Sequence, residues 1–398
     1  MDLSNKKNST TLPRLKGSTW GHPRGFAPLI SLSQNKPELF AAEVTWDIRT
    51  LQQFADHSLV DLANNYDLII LDHPFIGAVS DSNLLIPLDT LLENEYLEDQ
   101  RRNAVGPAYE SYLWNDHVYA LPIDVAGHVS AARKDLFDKH NLQKPETWGD
   151  VLLLARGLAS GSGPKVAVPF IPVDLWCLFV TLCANRGVKP YESQTQVVPH
   201  DVGVSVLEYM LELFSYAPKE SKQWNPIHLL DEMSTTDNIL YCPALFGYSN
   251  YSMGGFRNSL VNFGAIPDAG FGSVGGIIGG AGIGISTKSQ FPAEAAQIVE
   301  VLCSPEIQSS LYAKLGGQPG HRSAWISEGV NQFTNNFYQD TLSTLDNSYL
   351  RPRFPRFVDV QSETATILAN ALYEKTSLSK ALLEADELYV RYSHTFFS

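Results

Sequence analysis

Seven short stretches of this 398-residue chain place reactive or hydrogen-bonding side chains close together. Trp20-Gly-His-Pro-Arg-Gly25 offers an indole, the imidazole of His22 and the guanidinium of Arg24 in one turn-rich segment. Asp72-His73-Pro74-Phe75 follows an apolar run, and Asp124 follows another. Trp176 stands near the start of an apolar helical run. Phe246-Gly-Tyr-Ser-Asn-Tyr251 presents Tyr248 and Tyr251 beside an amide. Gly275 to Ile285 holds Gly279 and Gly280, and Gln318-Pro-Gly-His-Arg322 holds His321 and Arg322. Aromatic plates beside Asp, His, Arg and Asn suit a ligand with an apolar face and a rim of hydroxyls, as a sugar has. Water leaving such a ligand must be replaced group for group. Bonds from Asp124 or Asp72 would be charge-assisted and individually the strongest.

Other chemistries fit these spacings less well. The glycine cluster fails G-x-G-x-x-G, because Ile285 stands where the last glycine belongs, and it has no Gly-Lys-Ser/Thr. It reads as backbone that lets another group approach closely. Gly247-Tyr-Ser-Asn-Tyr251 misses a nucleophile elbow by its last residue. Asp72, His73 and Asp124 could form an acid/base set. Neighbouring residues on a strand face opposite ways, however, so Asp72 and His73 are not expected to cooperate. No metal-ligand spacing occurs, and neither a metal nor a cofactor is expected. Arg351 and Arg353 read as a solvated loop, with a hinge-side ligand contact as the alternative.

The elements that would carry these groups alternate between strand and helix. Residues 12–19 read as a first strand, 26–32 as a helix, 44–48 as a strand, 51–62 as an amphipathic helix and 66–71 as a buried strand. This β-α-β rhythm implies a mainly parallel sheet flanked by helices. Ligands then sit outside the carboxyl ends of the strands, where Trp20 and Asp72 fall. Val118 to Leu121 reads as a strand that Pro122 ends, and His128 to Ala131 as a second one. The stretch reads as a hinge between two lobes. Thr147-Trp-Gly-Asp150 has capping-box spacing, and Ser304-Pro-Glu306 opens a helix that Gly316-Gly317 ends.

Composition limits the remaining classes. Hydrophobic residues make up 44% and charged residues 18%, and the net charge is −14. A chain so acidic is a poor match for nucleic acid or anionic membranes. Cys177, Cys183, Cys242 and Cys303 form no C-x-x-C. Cys177 and Cys183 lie six apart on a helix and face different sides, so buried free thiols are expected. Residues 1–11 are polar, without an apolar leader, and no stretch is long enough to span a membrane.

The ordered set Val118-Tyr-Ala-Leu-Pro122, Asp124, Arg133-Lys-Asp-Leu-Phe137 and Pro145-Glu-Thr-Trp-Gly-Asp-Val151 resembles bacterial extracellular solute-binding proteins of ABC importers, the sugar-binding group in particular. The resemblance implies a two-lobed periplasmic-binding-protein-like fold of type II, with a ligand cleft between α/β lobes. Residues 1–122 and 264–322 would form lobe one, and 123–263 and 323–398 lobe two. It implies a monomer that closes on a small solute, most readily a carbohydrate, and delivers it to ABC permease subunits without catalysis. Trp20, His22, Arg24, Asp72, His73, Asp124, Trp176, Tyr248, Gly279, Gly280 and His321 are the expected ligand contacts. A periplasmic or cell-surface location follows from the resemblance, while the polar N-terminal segment leaves a cytoplasmic one open. A charged non-sugar metabolite, and an Asp/His hydrolase, remain as alternative readings.

Overall fold

A computed structural model describes residues 12–50, 58–272 and 274–397. Among the described residues ten strands form: β1 (Arg14–Trp20), β2 (Glu43–Arg49), β3 (Leu68–Leu71), β4 (Leu113–Trp114), β5 (His117–Val118), β6 (Leu121–Ala132), β7 (Lys165–Val166), β8 (Ile239–Phe246), β9 (Asn262–Gly264) and β10 (Ile278–Ile285). The main sheet runs β2-β1-β3-β10-β6-β8-β7, with β9 also on β6, while β4 and β5 form a separate hairpin. The fold is α/β, as the rhythm implies. Pairing is parallel within β2-β1-β3 and in β8-β7, where helices connect the strands. It is antiparallel at β10 and β6, where the chain passes between lobes.

Buried apolar side chains separate into two large cores. One gathers residues of 15–123 and 281–312. The other gathers residues of 125–278 and 313–389, together with Val105 and Ala108. A smaller cluster drawn from 62–120 flanks the first. The seams are sharp: Ile123 belongs to one core and Val125 to the other, and so do Ala281 and Ile278. Asp124 on β6 and Gly279–Gly280 on β10 therefore sit where the two bodies meet.

Pro122 does not end the strand. β6 runs unbroken for twelve residues, every one of them buried. The ladder to β10 slips at this point: Asp124 pairs Ala281 and Pro122 pairs Gly282, leaving Ile123 as the extra residue of a bulge. A proline without an N–H is tolerated at such an irregularity. The expected helix over 51–62 is described only from Leu59, where Leu59–Asn65 is helical and Ser58 caps it; 51–57 lie outside the described residues. Thr147 and Asp150 form the capping box that heads the helix Trp148–Ala159. Ser304 caps the helical turn Pro305–Ile307. All four cysteines are free and buried. Among the described residues no helix is long and apolar enough to cross a membrane.

Candidate functional site

At the seam lies a cavity of about 300 Å³. Trp20, Arg24, Asp72 and Phe75 line it from the side of the first core, and Asp174, Phe246, Tyr248, Arg351 and Gln361 from the side of the second. Asp124, Gly279 and Gly280 of the two crossing strands complete the lining. Gly280 has φ +116, and a Cβ there would meet the Asp124 carbonyl oxygen at 2.2 Å. Gly279 is bare for another reason: a Cβ would press on the Phe246 ring at 2.6 Å. These two glycines let the floor of the cavity be backbone.

Two ion pairs brace the walls. Arg24 lies in the first turn of the helix Pro23–Asn35, which His22 caps by accepting the Arg24 N–H at Nδ1. The Arg24 Nε donates to Asp124 Oδ2 at 2.7 Å and Nη2 donates to Oδ1 at 2.5 Å. Its Nη1 crosses to the Gly247 carbonyl at 2.9 Å, and the guanidinium stacks 4.4 Å from the Tyr248 ring centre. Such a bidentate fork is the strong form of the carboxylate contact. Burial pushes the Asp124 carboxyl up from its ordinary value, against the pull of Arg24.

The second pair was not legible as such. Arg351 is buried, not solvated, and its Nη2 reaches both Asp72 oxygens at 3.0 and 3.1 Å across 279 residues of chain. Its Nη1 donates to Gln361 at 3.2 Å. Burial opposes the Asp72 charge, yet Arg351 and His73 hold the carboxyl well below the usual carboxylate range. Asp72 and His73 do come together, contrary to the strand argument. β3 stops at Leu71, and Asp72 caps a short helical turn that brings His73 Nδ1 to 3.1 Å from its carboxylate.

A third carboxylate, Asp174, faces the same cavity from the first turn of the helix Pro172–Asn185. It is 7% exposed. No described residue reaches it with a hydrogen bond or an ion pair. Burial alone pushes its carboxyl up to about 8.

Of the residues expected to touch a ligand, Trp20, Arg24, Asp72, Asp124, Tyr248, Gly279 and Gly280 line the cavity. His22 stands behind Tyr248, with ring centres 4.8 Å apart, and burial beside Arg24 pushes it down to about 3. His73 is screened behind Asp72, and burial pushes it down to about 4. Trp176 is wholly buried and donates to the Tyr191 hydroxyl at 2.9 Å. It lies on the core side of its helix, whereas Asp174 and Cys177, one turn apart, face the cavity. Tyr251 is likewise a core residue, bonded to Asp231. His321 caps the helix Arg322–Trp325 and leans on Ser323 and Asp99, away from the cavity. Gln318 pins the crossing strand instead, exchanging bonds with the Val125 backbone at 3.0 and 2.7 Å.

A family model described as bacterial extracellular solute-binding protein matches residues 50–309. Among solved structures, the ribitol complex of an ABC transporter solute-binding protein from Agrobacterium radiobacter superposes with a TM-score of 0.81 at 18% identity, covering 96% of this chain and 99% of that one. Maltose-bound MalE3 of T. maritima gives 0.77 at 16%, covering 96% and 99%. A solute-binding protein of Thermotoga lettingae bound with α-D-tagatose gives 0.79 at 15%, covering 96% and 100%. These likenesses establish the two-lobed fold.

Proposed function

From the premise that the chain belongs to the bacterial extracellular solute-binding proteins, we propose that it is the carbohydrate receptor of an ABC importer. The observation that carries this is a cavity lined by aromatic and ion-paired side chains from both cores, sited where the crossing strands join them. A solute touching both walls stabilises the closed arrangement over the open one, since only differential contacts shift such an equilibrium. Its size lies at the lower end of the range of about 300–1,000 Å³ for ligand pockets, which favours a single sugar ring or a linear polyol. Proteins of this fold bound to ribitol and tagatose are consistent with that choice.

The core partition supports a division in which 124 and 279–280 are seam residues; Ile266, Ile277, Ile278 and Ala313 pack in the second core, although 264–322 is the segment expected in lobe one. One chain supplies both walls, so a monomer suffices. Delivery to permease subunits on the outer face of the membrane follows from the family. The hydrolase reading lacks a catalytic pair, because Arg24 takes both Asp124 oxygens and neither His22 nor His73 lines the cavity. A thermal-shift screen over sugars, polyols, amino acids and polyamines tests the proposal. A true solute at a hundred times its dissociation constant adds roughly 2.7 kcal/mol. Stabilisation by a monosaccharide or polyol is the expected result; a response confined to other classes, or none, overturns it.

A further inference from the structure

The cavity lining holds three carboxylates, Asp72, Asp124 and Asp174, and two guanidiniums, Arg24 and Arg351. Two of the carboxylates are already neutralised, Asp124 by Arg24 and Asp72 by Arg351. Among the described residues the third has no hydrogen-bond or ion-pair partner. Asp174 is more than nine-tenths buried, and among the described residues neither Arg24 nor Arg351, the two guanidiniums of the lining, is bonded to it: they are taken by Asp124 and Asp72. The partial positive charge of its helix start offsets only part of a full negative charge. A buried carboxylate in such surroundings needs either a proton or a cation.

We propose that the natural solute is an aminated sugar or amino-polyol, and that Asp174 receives its protonated amine. This rests on the carbohydrate-receptor reading above and narrows it to a ligand class. A neutral polyol would leave the chamber either with an uncompensated charge or with a protonated acid that forgoes the ion pair. An ammonium group removes both penalties. Its remaining hydroxyls and C–H face then meet the polar groups and the Trp20, Phe75, Phe246 and Tyr248 rings.

The exchange has a proton balance. Burial holds the Asp174 carboxyl protonated below about pH 8 in the empty chamber. On binding, its O–H bond breaks, the proton passes to solvent, and an N–H···O contact to the carboxylate replaces it. The titratable groups that feel Asp174 are Tyr248, Tyr373, Cys177 and Cys242, and burial holds all four neutral at physiological pH. Arg351 and His73 hold Asp72 ionised, and Arg24 takes both Asp124 oxygens. Asp174 is therefore the group that exchanges a proton with an incoming amine.

The test is calorimetric titration with matched pairs: glucosamine and glucose, galactosamine and galactose, mannosamine and mannose, 1-amino-1-deoxysorbitol and sorbitol. Wild type and Asp174→Asn are compared, the variant's folding being verified by thermal unfolding. At least one amine should bind wild type about tenfold more tightly than its parent, and Asp174→Asn should erase that preference. In buffers of different ionisation heat near about pH 6.5, amine binding should release close to one proton from wild type and none from the variant. Parents that bind as well as every amine overturn this inference and leave the receptor reading standing. A preference that survives in Asp174→Asn overturns the assignment to Asp174. Failure of every sugar and polyol, aminated or not, overturns both.

Discussion

Asp124 and Asp174 face one chamber, both more than nine-tenths buried, and the chain treats them in opposite ways. Asp124 is gripped by a guanidinium through two hydrogen bonds; Asp174 stands in a helix start, and among the described residues nothing bonds to it. A buried carboxylate that is already paired holds structure together, and one without a bonded partner among the described residues is the one the proposed amine contact would use. The difference separates the scaffold of the cavity from its recognition surface more clearly than distance does.

The contrast can be broken first at Arg24. Arg24→Ala strands the Asp124 charge and loses the bond to the Gly247 carbonyl, so urea unfolding should show a loss of about 3–5 kcal/mol. A loss below about 1 kcal/mol would mean that this pair braces nothing. Asp174→Asn should act in the other direction. The folded state keeps a proton on Asp174 up to about pH 8, while an unfolded aspartate releases it near about pH 4. The folded form thus binds more protons across that window, and wild-type stability falls as pH rises through it. The asparagine variant lacks this fall, so near pH 7 it should exceed wild type by something on the order of 2–3 kcal/mol without ligand. Identical pH profiles would show that the carboxylate is already compensated. The smallest effect belongs to Asp72→Asn, which weakens the tie between walls that Arg351 makes. A stability loss of about 1.5 kcal/mol and a wider unliganded envelope in solution scattering are expected. An unchanged envelope would remove Asp72 from the closing contacts.

The fold, the crossing strand and much of the lining were legible because they follow from local pattern. Trp20, Arg24 and Asp72 stand at strand ends or in the turns after them, where alternation stops; Asp124 stood out by the proline before it, although it lies within β6. Asp174 was not legible, because one carboxylate beside the apolar run 175–182 reads as an exposed helix start. Trp176, two residues on, drew attention for its size, yet the helix turns it into the core. Arg351 lies in a proline-punctuated run of arginines that reads as surface; only its meeting with Asp72, 279 positions away, buries it. The histidines misled in a common way. An imidazole in a turn suggests contact with a ligand, whereas His22 and His321 cap helices.

The strand β10 alternates a pleated backbone with glycine at 279, 280, 282 and 284, against a neighbour, β6, whose bulge falls at Ile123. The pivot of the molecule is thus also the chamber's lower surface. Whatever rested on this bare ribbon would lie against the crossing strands as well as both walls, so a thicker solute would hold the walls further apart. Two solutes of equal affinity but unequal depth would then leave the receptor at different angles, and the membrane machinery would meet different shapes.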